Sequence, residues 1–122
     1  MGNLTEFSKI VHQANKDKGF YEKEMPVGTH LMLITSELAE ALEADRHNLT
    51  ADKASFNAKI ASGIPFQEAF KECIKDSYED EIADAVIRLL DHCGYKGIDL
   101  EFHVQNKLKY NSGRVIRHGK KY

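Results

Sequence analysis

The chain has 122 residues, 42% of them hydrophobic and 30% charged, with a formal net charge of −2, two prolines and two cysteines. That length suits one domain with a modest core, and the composition excludes a fibrous or wholly disordered chain. No run approaches the length of a membrane span; Glu6, Lys9, Lys16, Asp17 and Lys18 interrupt the start of the chain, so no signal-peptide core is expected and the chain reads as cytoplasmic.

Residues 4–15 place Leu4, Phe7, Ile10, Val11 and Ala14 on one face and predict a first helix. The run NKDKGFYEKEMP, with Gly19 and Pro26, breaks it. A second helix is expected over 27–46, with Leu31, Ile34, Leu38, Ala41 and Leu42 as its apolar stripe. Glu37 and Glu40 flank that stripe together with Leu33 and Ala44, and His30 precedes Glu37 by two turns. Residues 51–61 suggest a short helix. After Pro65, the spacing of Phe66, Ala69, Phe70, Cys73 and Ile74 suggests either a separate helix or the lead-in to the next. Ser77, with Asp80 and Glu81 behind it, has the form of an N-cap with acids in the first turn. That helix is expected to run to about His92 and to end at Gly94 and Gly97. Asp99 caps a last helix reaching about Asn111, followed by Gly113 and a basic tail over 113–122.

No segment alternates with period two, so no sheet is expected. Four main amphipathic helices with short connections predict an all-α chain, an antiparallel four-helix bundle forming one domain over 1–122. On the helix after Ser77, Ile82, Ala83, Val86, Ile87, Leu89, Leu90 and Cys93 cover nearly half the circumference. One bundle of this size cannot cover so wide an arc, which predicts a homodimer or homotetramer.

Charge is segregated along the chain. Residues 107–122 carry six Lys or Arg and no acid, whereas residues 68–84 carry seven acids against Lys71 and Lys75. A basic end of this kind suits phosphates, nucleic acid, a membrane surface or plain solvation. Cys73 and Cys93 belong to no C-x-x-C or His/Cys cluster and read as small apolar free thiols.

Glu37-x-x-Glu40 and Glu81-x-x-Asp84 are each neighbours on a helix surface. Packed antiparallel, the two helices bring four carboxylates together. Two like charges ~4 Å apart repel by about 4 kcal/mol at an effective dielectric of about 20. Either one stays protonated or a divalent cation removes the conflict. All-oxygen ligands favour Mg2+ or Mn2+ over zinc, and the Glu-x-x-His of di-iron bundles is absent from the sequence. Spacing alone leaves another reading open, in which Glu37 and Glu40 are a charged flank and Glu81, Asp84, Arg88 and Asp91 a solvated face with an Asp84–Arg88 pair at i, i+4.

ITSELAEALEADR, then YEDEIADAVIRLLDHCGYKGIDL, then KLKYNSGRVIRHGKKY together resemble the MazG-like superfamily of all-α nucleoside triphosphate pyrophosphohydrolases. The resemblance covers residues 27–122 except about 48–75, and rests on E-x-x-E plus E-x-x-D with a K-x-x-x-N-x-x-R trailer. It implies that Glu37, Glu40, Glu81 and Asp84 hold Mg2+ and are the catalytic acids. It also implies that a water attacks the triphosphate to release pyrophosphate and a nucleoside monophosphate. Lys107, Asn111 and Arg114 fall at i, i+4 and i+7, one stripe if the last helix persists that far; they suit phosphates and a base or ribose edge, or else a solvated helix end. His30 suits a base or sugar contact, or is an ordinary helix-start histidine.

Two features depart from the family. Ser36 stands where members often carry a further Glu before the first ligand, and the 40 residues between Glu40 and Glu81 exceed the usual spacing. The extra length reads as an inserted helical segment that covers the pocket or shapes a subunit interface. The function expected is Mg2+-dependent hydrolysis of (deoxy)nucleoside triphosphates in nucleotide-pool house-cleaning, with no membrane or nucleic-acid partner. The alternatives are a phosphoribosyl-ATP pyrophosphohydrolase and a non-catalytic module that binds nucleotides or nucleic acid.

Overall fold

A computed structural model of the chain describes residues 3–114; the expected basic tail lies outside them beyond Arg114. Among the described residues there are six helices and no strand: α1 (Leu4–Asp17), α2 (Val27–Arg46), α3 (Lys53–Ala61), α4 (Phe66–Cys73), α5 (Tyr78–Lys96) and α6 (Leu100–Ser112). The chain is all-α. Local chemistry sets most of the helix starts. The side chains of Asn3, Asp52 and Asp99 accept from the backbone N–H groups of Glu6, Ser55 and Phe102, and Ser77 Oγ accepts from Asp80 N at 3.1 Å; each satisfies a donor that the helix itself leaves unpaired. Pro26 and Pro65 precede α2 and α4, where their fixed φ and missing N–H cost nothing. None of the described helices is long and apolar enough to cross a membrane.

Two compact units divide the chain, one formed by Lys23–Leu89 and the other by the residues before and after it. In the Lys23–Leu89 unit, the segment between the two acidic motifs forms a helical hairpin of α3 and α4. Phe66 and Phe70 stack with ring centroids 5.8 Å apart, Phe56 meets Phe66 edge-on at 5.9 Å, and Lys59 Nζ pairs with Glu72 across the hairpin at 2.6 Å. Backbone bonds tie the hairpin to its surroundings, from Asp52 N to Cys73 O at 2.9 Å and from Tyr78 N to Leu49 O at 2.8 Å.

The inward face of α2 is only partly the one its apolar pattern suggests: of the expected stripe, Ala41 is buried and Ile34 half-buried. Its buried residues are His30, Glu37, Ala41 and Ala44, whereas Leu31, Leu38 and Leu42 are exposed to 46%, 51% and 52%. At about 100° per residue, this leucine stripe is turned about a quarter-circle from the buried face. The buried side carries the two alanines, whose small side chains let neighbouring elements approach, and a glutamate whose charge is answered by an arginine.

The other unit packs α1 against α6 and includes the last turns of α5, from Leu90 to Lys96. Gly94 does not end α5, as its glycine character suggested, but lies inside it. A Cβ there would come within 2.5 Å of Ser8 O and 2.6 Å of His12 Cβ, so glycine permits backbone contact between α5 and α1. The helix instead stops before Gly97, whose φ of +67° suits glycine. Asp91 clamps the N-terminal segment, accepting from Tyr21 OH at 2.6 Å and bonding His12 Nδ1 at 2.9 Å. At the start of α6, Leu4 N donates to Glu101 Oε1 at 2.8 Å and Thr5 Oγ1 to Asp99 Oδ1 at 2.7 Å.

Candidate metal centre

Within the Lys23–Leu89 unit, α2 and α5 bring together Glu37, Glu40 and Glu81. Each offers one carboxylate oxygen, and these oxygens lie within 4.8 Å of one another. The sequence builds this locally. Glu37 and Glu40 are one helical turn apart on α2. Glu81 sits in the first turn of α5, its N–H bonded to Ser77 O at 3.0 Å, and the cap residue Ser77 is itself buried. Glu37 and Glu81 are 8% and 7% exposed, whereas Glu40 is open to solvent.

The two buried acids are treated oppositely. Burial pushes the Glu37 carboxyl up, but the Arg88 guanidinium donates from Nε to its Oε1 at 2.7 Å and, with further hydrogen bonds, holds it below the ordinary glutamate range. Glu81 has no such partner. Burial, then the neighbouring Glu40, Asp84 and Glu37 carboxylates, push its pKa from 4.5 up to about 7. Its Oε2 atom is buried and makes no hydrogen bond among the described residues. A buried acceptor without a donor is rare and costly; either a proton on Glu81, which its raised pKa favours, or a divalent cation satisfies it and relieves the repulsion among three acids. A set of carboxylate oxygens suits a hard divalent cation.

Asp84 lies outside this trio. It is half-buried, and burial, followed by Asp80 and Glu37, raises its pKa. Arg88, which the alternative solvated-face reading paired with Asp84 one turn away, forms its ion pair with Glu37 instead. Glu81 also belongs to a second group with Asp76 and Asp80. There the oxygens are partly committed, since Asp76 Oδ2 takes Lys75 Nζ at 2.8 Å and Asp80 Oδ2 takes Asp76 N at 2.9 Å. Ser36 turns its hydroxyl back to Leu33 O at 2.7 Å, so the position holds no further acid.

The remaining sequence candidates are divided. His30 is buried at 6% exposure, on the same face of α2 as Glu37. Lys107, Asn111 and Arg114 belong to the other unit and are exposed. The charged groups of Lys107 and Arg114 both lie 5.2 Å from the centre of the Tyr110 ring, a cation–π arrangement. α6 ends at Ser112, so the helical stripe expected through these three residues stops short of Arg114.

Two features escaped the sequence reading. Arg88 lies one turn beyond Asp84 and two beyond Glu81, so its place beside the acids was readable, though its partner on another helix was not. The other is a groove of about 900 Å3 running beside Asp84, walled by α4 and the first half of α5; it depends on how the hairpin folds back. Comparison with models of protein families, with curated proteins and with solved structures found no match.

Proposed function

We propose that the protein is a Mg2+-dependent nucleoside triphosphate pyrophosphohydrolase, releasing pyrophosphate and a nucleoside monophosphate from (deoxy)nucleoside triphosphates. The observation that carries this reading is the buried, unpartnered Oε2 of Glu81, a residue whose carboxylate clusters with those of Glu37 and Glu40. Its orphaned oxygen and the hard donor set fit a divalent cation, Mg2+ or Mn2+. Glu37, Glu40 and Glu81 would hold it, with Asp84 alongside. When bound, the cation supplies charge neutralisation for the triphosphate and lowers the pKa of a water.

The chain's own residues prepare the site. Arg88 keeps Glu37 ionised at neutral pH and fixes its position through a charge-assisted bond. Ser77 anchors the turn carrying Glu81. Lys107, Asn111 and Arg114 are the candidates for gripping phosphates and a base or ribose edge, and His30 for a base or sugar contact, as the family resemblance implies. That resemblance also implies an antiparallel four-helix bundle built from the long helices, acting in nucleotide-pool house-cleaning. The exposed leucines of α2, with Val86 and Leu89 of α5 at 49% and 43% exposure, support a second copy of the chain as their cover, in a homodimer or homotetramer.

Pyrophosphate release from a panel of natural and damaged triphosphates, with Mg2+ and with a chelator, tests the reading. Metal-dependent turnover of nucleoside triphosphates is the expected result. Turnover of phosphoribosyl-ATP alone would move the assignment to that biosynthetic hydrolysis. Ser36, which supplies no acid, favours the second reading of a binding module; salt-dependent nucleotide or nucleic-acid binding with no turnover would establish it.

A further inference from the structure

The groove between α4 and the first half of α5 adjoins the acidic cluster but has a different chemistry. Its α5 wall is the stripe Asp80, Ala83, Asp84 and Ile87, so the carboxyl of Asp84 borders it directly. Glu68, Phe70 and Lys71 stand on the α4 wall, and Lys75 and Asp76, paired with each other at 2.8 Å, follow in the turn before α5. Phe70 is half-buried and braced by stacking on Phe66, which fixes its ring. Ile87 is 43% exposed. Lys71 is exposed and forms no ion pair among the described residues, so its charge opposes the acids of α5 without being consumed by them. An apolar floor, an uncommitted Lys71 and a lining in which Glu68, Asp76, Asp80 and Asp84 outnumber the two lysines suit a ligand that offers an apolar ring face and carries its own divalent cation. The volume of about 900 Å3 lies at the upper end of the range for small-molecule sites, about 300–1,000 Å3, and accommodates a whole nucleotide.

We infer that this groove seats the nucleoside end of a nucleoside triphosphate, with the base against Phe70 and Ile87 and Lys71 meeting a phosphate oxygen beside Asp84. The inference rests on the pyrophosphohydrolase reading and deepens it, because it assigns substrate selection to α4, in the segment that separates the two acidic motifs. An aromatic ring and an isoleucine accept the face of any base, and a lysine acts as a point charge for phosphate. Gln67, also on the α4 wall, carries an amide able to read a base edge.

Binding separates the two readings. The full-length chain, with Mg2+, is titrated calorimetrically with the α,β-imido analogues of the four deoxynucleoside triphosphates and with inorganic tripolyphosphate, which has no base. Lys71→Gln should weaken both kinds of ligand by about tenfold, and Ile87→Asn should weaken the preferred nucleotide by about tenfold while leaving tripolyphosphate unchanged. Both residues are exposed, and circular dichroism checks that the variants keep their helices. Unchanged nucleotide affinity in both variants overturns the groove and leaves the metal centre standing. The same holds if the wild type binds tripolyphosphate as tightly as every nucleotide. Failure of the wild type to bind any triphosphate with Mg2+ overturns the groove and the pyrophosphohydrolase reading together.

Discussion

Replacing Glu81 by glutamine keeps the side chain's shape and removes its ability to ionise. The wild-type carboxyl titrates near 7 in the folded protein against an ordinary 4.5. A raised folded-state pKa means that the native state holds the proton more tightly than the unfolded chain. The resulting stability is fully present below about pH 4.5 and is lost as pH rises through about 7. The difference of 7 − 4.5 corresponds to roughly 3 kcal/mol at about 1.36 kcal/mol per unit. Glu81 itself is covered, but Glu40 beside it is open to water and so small a unit surrounds the acids with little protein; solvent screening brings the expected effect to about 1–2 kcal/mol. Without metal at pH 8, Glu81→Gln should therefore be more stable than the wild type by about 1–2 kcal/mol, or roughly 4–8 °C in Tm, and the gap should close near pH 4.5. Saturating Mg2+ should reverse the order, since a ligand at about a hundred times its Kd adds about 2.7 kcal/mol to the wild type and little to a variant lacking one ligand. Thermal unfolding followed by circular dichroism at both pH values, with chelator and with Mg2+, reads all four conditions. A variant less stable than the wild type at pH 8 without metal, or one stabilised equally by Mg2+, refutes the cation-site account of these acids.

Arg88→Met should cost about 1–3 kcal/mol in urea unfolding, because it leaves the buried Glu37 without its cation; no loss would mean that water already satisfies Glu37. Gly94→Ala should destabilise by about 1–3 kcal/mol, since its Cβ must displace Ser8 O or separate α5 from α1, and an unchanged Tm would contradict that close approach. Leu38→Glu combined with Leu42→Glu should convert an oligomer to monomer in light scattering without loss of helicity, both leucines being exposed within the chain; a wild type that is already monomeric at micromolar concentration removes the proposed interface. Arg114→Ala should raise KM while leaving Tm within about 0.5 kcal/mol of wild type, as expected for an exposed residue, and unchanged kinetics would return Arg114 to its stacking on Tyr110.

Helix identity was a local matter and the sequence determined it. Caps at Asp99 and Ser77, the prolines ahead of α2 and α4, and the spacing of apolar residues act within a few positions, so the six helices begin where their own residues specify. The carboxylate spacing of Glu37 with Glu40 was equally local, set by the pitch of one helix. Which face of each helix turns inward was decided by partners far away in the chain. Counting apolar residues favoured a stripe of Leu31, Ile34, Leu38, Ala41 and Leu42 on α2; the fold buries Ala41 of that stripe but turns His30, Glu37 and Ala44 inward with it, because alanines permit close packing and Arg88, 51 residues on, neutralises Glu37. Gly94 looked like a helix terminator until α1 crossed over it and required the missing Cβ. The acidic cluster around Glu81 likewise exists only once α2 and α5 are brought together, and the groove beside Asp84 only once α4 meets α5. Periodicity records what a helix carries on each side, and only the surrounding elements determine which side each residue spends away from water.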